Sequence, residues 1–136
     1  MTFKVSTRIE NATCEMTIVQ LNANSVLLRI SGNDIGEFMD VPMRCIDALL
    51  SPNVPANLFV DTRETQGVTM TASGAWAAWL EKRRNSFESI HFLASGRYVT
   101  VSAQFVRRFS GLEDTMHIYE DPAIFDAQML GVAASG

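Results

Sequence analysis

The stretch that most constrains this chain is Leu58 to Leu80, LFVDTRETQGVTMTASGAWAAWL. Its first residues are apolar without a break up to Asp61, the pattern of a strand covered on both faces rather than wet on one. A Gly-containing stretch follows. From Thr71 the period changes, and Ala72, Ala75, Trp76, Trp79 and Leu80 fall on one helical face. A buried strand, an exposed loop and a helix that packs back over the sheet make the unit of a parallel α/β fold.

The flanking sequence extends this unit in both directions. From Phe3 to Leu21 the pattern is strand-like, broken at Glu10-Asn11-Ala12, and Met16 and Ile18 alternate with polar neighbours as in antiparallel strands with one wet face. Ser25 to Gly32 reads as a further strand leaving into a Gly-Asn-Asp loop. Asp40 and Pro42 then open a helix with Met39, Met43, Ile46 and Leu50 at helical spacing. Pro52 and Pro55 stop it. After the helix from Thr71, which is expected to end near Asn85, come a strand at Ser89–Ala94 and a helix at Val99–Ser110. Gly111-Leu112 stops that helix, because Gly at a left-handed cap followed by an apolar residue closes it. A strand at Thr115–Tyr119 and a short helix from Pro122 to Leu130, started by Asp121, complete the chain.

The expectation is a single α/β domain over residues 1–136. Its mixed sheet has antiparallel N-terminal strands, parallel central strands and about four helices, with right-handed crossovers. At 136 residues the chain is long enough to bury a core without staples. Cys14 and Cys45 are therefore read as small buried hydrophobes rather than a disulfide. No apolar run approaches a membrane span and the first residues lack an apolar signal core, so the expected location is the cytoplasm. A net charge of −4 argues against nucleic acid as a partner, since a phosphate backbone calls for a basic surface.

At this level the chain resembles a known family. Val26–Gly32, a helix, Leu58-Phe59-Val60-Asp61, a loop into Ser73-Gly74 at a helix start, and Phe109-Ser110-Gly111-Leu112 before a last strand and helix look like the STAS domain, shared by sulfate transporters and anti-sigma-factor antagonists, in its SpoIIAA-like branch. The resemblance spans roughly Thr13 to Leu130. In phospho-regulated members an Asp-Ser-Ser-Gly motif starts the helix after the central strand, and a partner kinase phosphorylates its second serine. Thr71-Ala72-Ser73-Gly74 matches that position, so the resemblance implies Ser73 as the phosphorylation site. Here Thr71 and Ala72 replace the acidic residue and the first serine, and the preceding loop is about two residues longer.

The resemblance also implies a non-enzymatic regulatory domain without cofactor, which binds an anti-sigma factor or kinase and pairs as a homodimer. The partner-binding loop then comprises Asp61, Arg63, Thr69, Thr71, Ser73 and Gly74. Physical chemistry is compatible with that, because a phosphate in a first helical turn meets free N–H groups and the positive end of the helix dipole. The competing reading is that Thr69, Thr71 and Ser73 merely cap the helix. The fold is also similar to that of lipid-carrying SEC14-like domains, which leaves open a small apolar ligand lying between Phe38, Met39, Met43 and the helix from Thr71.

Other residues give weaker signals. His91 and His117 lie in apolar strands with no carboxylate or thiolate at ligand spacing, so they read as core or edge histidines and not as a metal site. Trp76 and Trp79, three apart on an apolar face, read as core. No nucleophile has a base beside it in sequence, and no enzymatic activity is expected.

Overall fold

A computed structural model describes residues 4–135, and the side chains of 7–134. Phe3 lies outside the described residues. Six strands form one sheet in the order β1 (Lys4–Glu10), β2 (Cys14–Asn22), β3 (Ser25–Asp34), β4 (Ala56–Val68), β5 (Phe87–Leu93) and β6 (Met116–Tyr119). The first three pair antiparallel, and β3 to β6 pair parallel. The helices are α1 (Val41–Leu49), α2 (Met70–Lys82), α3 (Gly96–Phe109) and α4 (Pro122–Ser135), with one 3₁₀ turn at Arg84–Ser86.

Every crossover from β3 to β6 steps to the next strand in the same direction. Right-handed connections therefore put α1, α2 and α3 on one face of the sheet. The cores agree with this. Met43, Ile46, Trp79, Leu80, Ala103 and Val106 from the three helices pack with Leu28, Leu58 and Ile90 on that face. On the other face α4 alone supplies Phe125, Met129 and Ala133, against Val19, Leu27, Phe59 and Leu93. Strand β4 lies between β3 and β5 with Leu58, Phe59 and Val60 all buried, as the unbroken apolar run requires.

The stop at the end of α3 is built as the sequence indicates. Gly111 has φ +72, its N–H donates to Arg108 O at 3.3 Å, and Leu112 N donates to Arg107 O at 3.1 Å, the paired bonds of a Schellman motif. The start of α4 is likewise held by Asp121, whose Oδ1 accepts from Ala123 N at 2.9 Å.

Several boundaries differ from the expectation. α2 ends at Lys82, before the 3₁₀ turn, and not near Asn85; α3 begins at Gly96, ahead of its β-branched Val99-Thr100-Val101; and α4 runs on past Leu130. The largest difference lies after Asp61. The stretch read as a loop is strand, because β4 continues to Val68 and pairs with β3 as far as Asp34. Thr62 and Thr65 bury their side chains while Arg63, Glu64 and Gln66 are exposed, so polar residues occupy a strand whose partner, not its composition, holds it extended.

Gly32 makes this extension of β3 feasible. Its φ is +87, and a Cβ there would stand 2.3 Å from the backbone oxygen of Thr13, the residue just before β2. Gly32→Ala is expected to lower stability by about 2–3 kcal/mol, from a left-handed backbone and a backbone clash together. A shift in the urea midpoint at unchanged slope would measure it, and a variant as stable as the parent would show that β3 is not bound this closely to β2.

Candidate functional site: the carboxyl ends of the parallel strands

In a parallel sheet the loops beyond the carboxyl ends of the strands are the positions free to recognise something. Here three such segments, following β3, β4 and β5, sit at one end of the sheet. The first two are tied together. Thr69 N donates to Asp34 O at 3.0 Å, and Gly36 lies 3.8 Å from the backbone of Ala72 in the first turn of α2, measured from where its Cβ would be. Asp34 is the fastener: buried, its carboxylate accepts from Gly36 N at 3.0 Å and from Trp76 Nε1 at 2.9 Å.

The expected site residues divide. Thr69 is the N-cap of α2, its Oγ1 accepting from Ala72 N at 3.2 Å, so the capping reading holds for it. Thr71 is exposed on the first turn, and Gly74 faces open space. Asp61 is buried. Its carboxylate accepts from the backbone N–H of Arg63 at 3.0 Å, from Arg63 Nε at 3.1 Å and from Arg29 Nε at 3.4 Å. Arg63 in turn makes a forked pair with Asp126 of α4. The hydrogen bond to Asp126 first, and Asp61 second, raise the Arg63 guanidinium above its ordinary range. Asp61 and Arg63 thus bind the middle of β4 to α4 instead of forming a free loop.

Ser73 is the main correction. It was expected on the surface at a helix start, yet it is 0% exposed and its Oγ has no partner. With Thr69 as cap, Ser73 falls in phase with Ala72, Trp76, Ala77 and Leu80, the side of α2 that meets the sheet. It lines a cavity of about 50 Å³ between α2, α3 and the sheet, walled by Leu58, Val60, Trp76, Phe92 and Val106. A kinase reaches this hydroxyl only if the first turn of α2 lifts. The expected apolar groove also fails to assemble: Met43 is buried in the core, Phe38 packs half-buried against it, and Met39 is 77% exposed.

What the end of the sheet does present is apolar side chain in water. Ile35 and Met39 stand out from the segment after β3, Met70 is 67% exposed at the start of α2, and Tyr98 is 82% exposed at the start of α3. Met39 is in addition the one described non-glycine residue with a positive φ, +55. A left-handed backbone is unfavourable for a bulky residue and is retained only where surrounding bonds impose it. Here Met39 N donates to Gly36 O and Val41 N to Phe38 O.

The overall arrangement has a counterpart among solved structures. A crystal structure of an uncharacterized protein of the DUF3478 family from Shewanella loihica PV-4, described as having a SpoIIAA-like fold, superposes with a TM-score of 0.59, covering 89% of this chain and 98% of the other at 14% identity. The fold is SpoIIAA-like. Identity this low carries the architecture and nothing of the chemistry. No family model matches the sequence, and no curated protein matches it. None of the described helices is long and apolar enough to cross a membrane.

One further cluster escaped the sequence. On the α4 face of this SpoIIAA-like sheet, the rings of Phe59, His91 and His117 stack across β4, β5 and β6, with centroids 4.5 and 5.5 Å apart. His91 Nδ1 lies 2.7 Å from the Tyr119 hydroxyl and Nε2 lies 2.9 Å from Ser89 Oγ, while Ser89 Oγ donates to Asn57 Oδ1 at 2.6 Å. Since Ser89 spends its single proton on Asn57, Nε2 carries the imidazole hydrogen and the Tyr119 O–H donates to Nδ1. Burial first, and the neighbouring His117 second, lower the His91 pKa to about 4. Ser89 shares the His91 face of β5 by strand alternation, but Tyr119 lies 28 residues away and only the register of β5 and β6 brings it there.

Proposed function

We propose that this SpoIIAA-like chain is a non-enzymatic regulatory domain that binds another protein through the rim formed by Ile35, Met39, Met70 and Tyr98. The observation that carries the reading is Met39, a large apolar side chain held in water on a strained backbone with two other exposed apolar groups on adjoining segments. Clustered exposed apolar residues are characteristic of protein-binding surfaces, and methionine is suited to an adaptable one. The fold likeness to anti-sigma-factor antagonists supports a partner of anti-sigma or kinase type, in the cytoplasm, and a capacity to pair with itself. In this reading the rim, rather than Ser73, is what the partner meets. A non-enzymatic reading is supported by the hydrogen-bond direction at Ser89, whose Oγ accepts from His91 Nε2 and so has no base there to activate it. The alternative of a lipid carrier has less support, because the apolar cavity beneath α2, at about 50 Å³, falls far below the roughly 300 Å³ at which small-molecule sites begin.

Affinity capture from the source organism, with parent and Met39→Glu/Met70→Glu proteins side by side, tests this. Both positions are exposed, so the fold should persist while a captured partner is lost by about tenfold or more. A partner retained equally by both proteins overturns the assignment of the rim.

A further inference from the structure

Sulfur in this chain is divided by exposure. Among the described residues, Met16, Met43, Met116 and Met129 are between 1% and 6% exposed and pack in the cores on the two faces of the sheet. Met39 at 77% and Met70 at 67% stand in water. The thiols do not compete with them. Cys14 is buried, and desolvation first, then the Asp34 and Glu37 carboxylates, push its thiol up to about 11, so little thiolate forms at neutral pH. Cys45 is half-buried against the core beneath the helices. The two open thioethers also belong to one surface. Met39 lies between β3 and α1 and Met70 opens α2, and these segments are held side by side by the bond from Thr69 N to Asp34 O and by the packing of Gly36 on Ala72.

We infer that Met39 and Met70 form a modification site, at which a hydroperoxide converts both thioethers to sulfoxides and so releases the partner protein from the rim. The inference rests on the protein-binding reading above and adds its regulation. In the step, a sulfur lone pair attacks the outer oxygen of the hydroperoxide. The S–O bond forms as the O–O bond breaks, and the proton of the transferred hydroxyl passes to the departing oxygen, which leaves as water or an alcohol. Sulfur gives up two electrons and the peroxide takes them, so no further reactant enters. A flexible apolar side chain thereby becomes polar and chiral. At an apolar interface each sulfoxide oxygen is then desolvated with no donor prepared for it, which weakens binding. The fold is left intact, because both side chains stand outside the two cores. A bound partner covers the same sulfurs, so an occupied rim resists oxidation and a free rim does not.

The test treats the full chain with dilute hydrogen peroxide and follows it by peptide mass mapping. Met39 and Met70 should each gain one oxygen at least about tenfold faster than the buried methionines, and the doubly oxidised protein should keep the urea midpoint of the parent. The partner recovered with the untreated chain in the capture described above is then titrated against untreated, oxidised and repaired protein. Repair uses the pair of methionine sulfoxide reductases that between them reduce both epimers. Oxidation should weaken binding by about tenfold or more, and repair should restore it. In Met39→Leu/Met70→Leu, peroxide should leave binding at that variant's own untreated level. Even oxidation of buried and exposed methionines, or a lowered midpoint after oxidation of Met39 and Met70 alone, would overturn the inference whatever the partner. Oxidised protein that binds as the untreated protein does, or an equal loss in the Leu variant, would overturn it while leaving the rim as the binding surface. An untreated chain that recovers no partner is a different failure, which overturns the protein-binding reading and this inference with it.

Discussion

Ser73→Glu is expected to destabilise the chain by at least about 3 kcal/mol, while Ser73→Ala is expected to stabilise it by about 1 kcal/mol. The opposite signs follow from one environment. The hydroxyl is 0% exposed without a hydrogen-bond partner, and leaving such a group unsatisfied costs about 1–3 kcal/mol. Alanine removes the cost and little volume. Glutamate places a charge in an apolar cavity of about 50 Å³ that also has the Asp34 carboxyl on its wall and no cation. An uncompensated buried charge is among the few single changes that remove several kcal/mol. Urea unfolding of the three proteins measures both shifts. The result bears on regulation, because glutamate is the usual mimic of phosphoserine. A Glu variant as stable as the parent would mean that the first turn of α2 opens to water, which would return Ser73 to its expected place as an accessible switch. A neutral Ala variant would mean that the hydroxyl already has a partner in solution.

The parts legible in the sequence are those that local chemistry decides. The unbroken Leu58-Phe59-Val60 run could only be a strand covered on both faces, and Gly111-Leu112 could only stop a helix. The alternation of strand and helix around them indicated a mixed sheet, antiparallel at the start and parallel later, which is how the strands pair. What was not legible depends on partners distant in sequence. Thr62 to Val68 has the composition of a loop, and only pairing with a β3 prolonged by Gly32 makes it strand. Distance from the helix start places Ser73 at the surface, but the cap at Thr69 sets the phase of α2 and turns Ser73 inward. The signal for this was present, since Ser73 lies in register with Trp76, Ala77 and Leu80. Asp34 as the anchor of Trp76, 42 residues away, left no trace in local pattern, and neither did the strained display of Met39.

His91 is expected to make the fold acid-sensitive in a window above that of most carboxylates. Its pKa is lowered to about 4 in the folded chain, against 6.5 for an ordinary histidine. Above pH 6.5 neither state binds the proton, so the buried neutral ring costs nothing. Between 6.5 and 4 the unfolded state takes up a proton that the folded state refuses, and stability falls with pH. A separation of about 2.5 units corresponds to about 3 kcal/mol when the window has been crossed. The comparison is with His91→Gln, which cannot ionise yet keeps a donor and an acceptor for Ser89 and Tyr119. That variant should be less stable than the parent at pH 7, for want of the stacked ring between Phe59 and His117, but its stability should be flat from pH 6.5 to 5 where the parent declines. Parallel curves for the two proteins would show that His91 accepts its proton without leaving its site. The expected decline also separates the two halves of the molecule. His91 joins β4, β5 and β6 on the face that α4 covers, while Ile35, Met39 and Met70 stand at the end of the sheet served by α1 and α2. Mild acid should therefore lower the unfolding midpoint well before it changes what the rim binds, which makes a pH series a way to tell loss of fold from loss of partner.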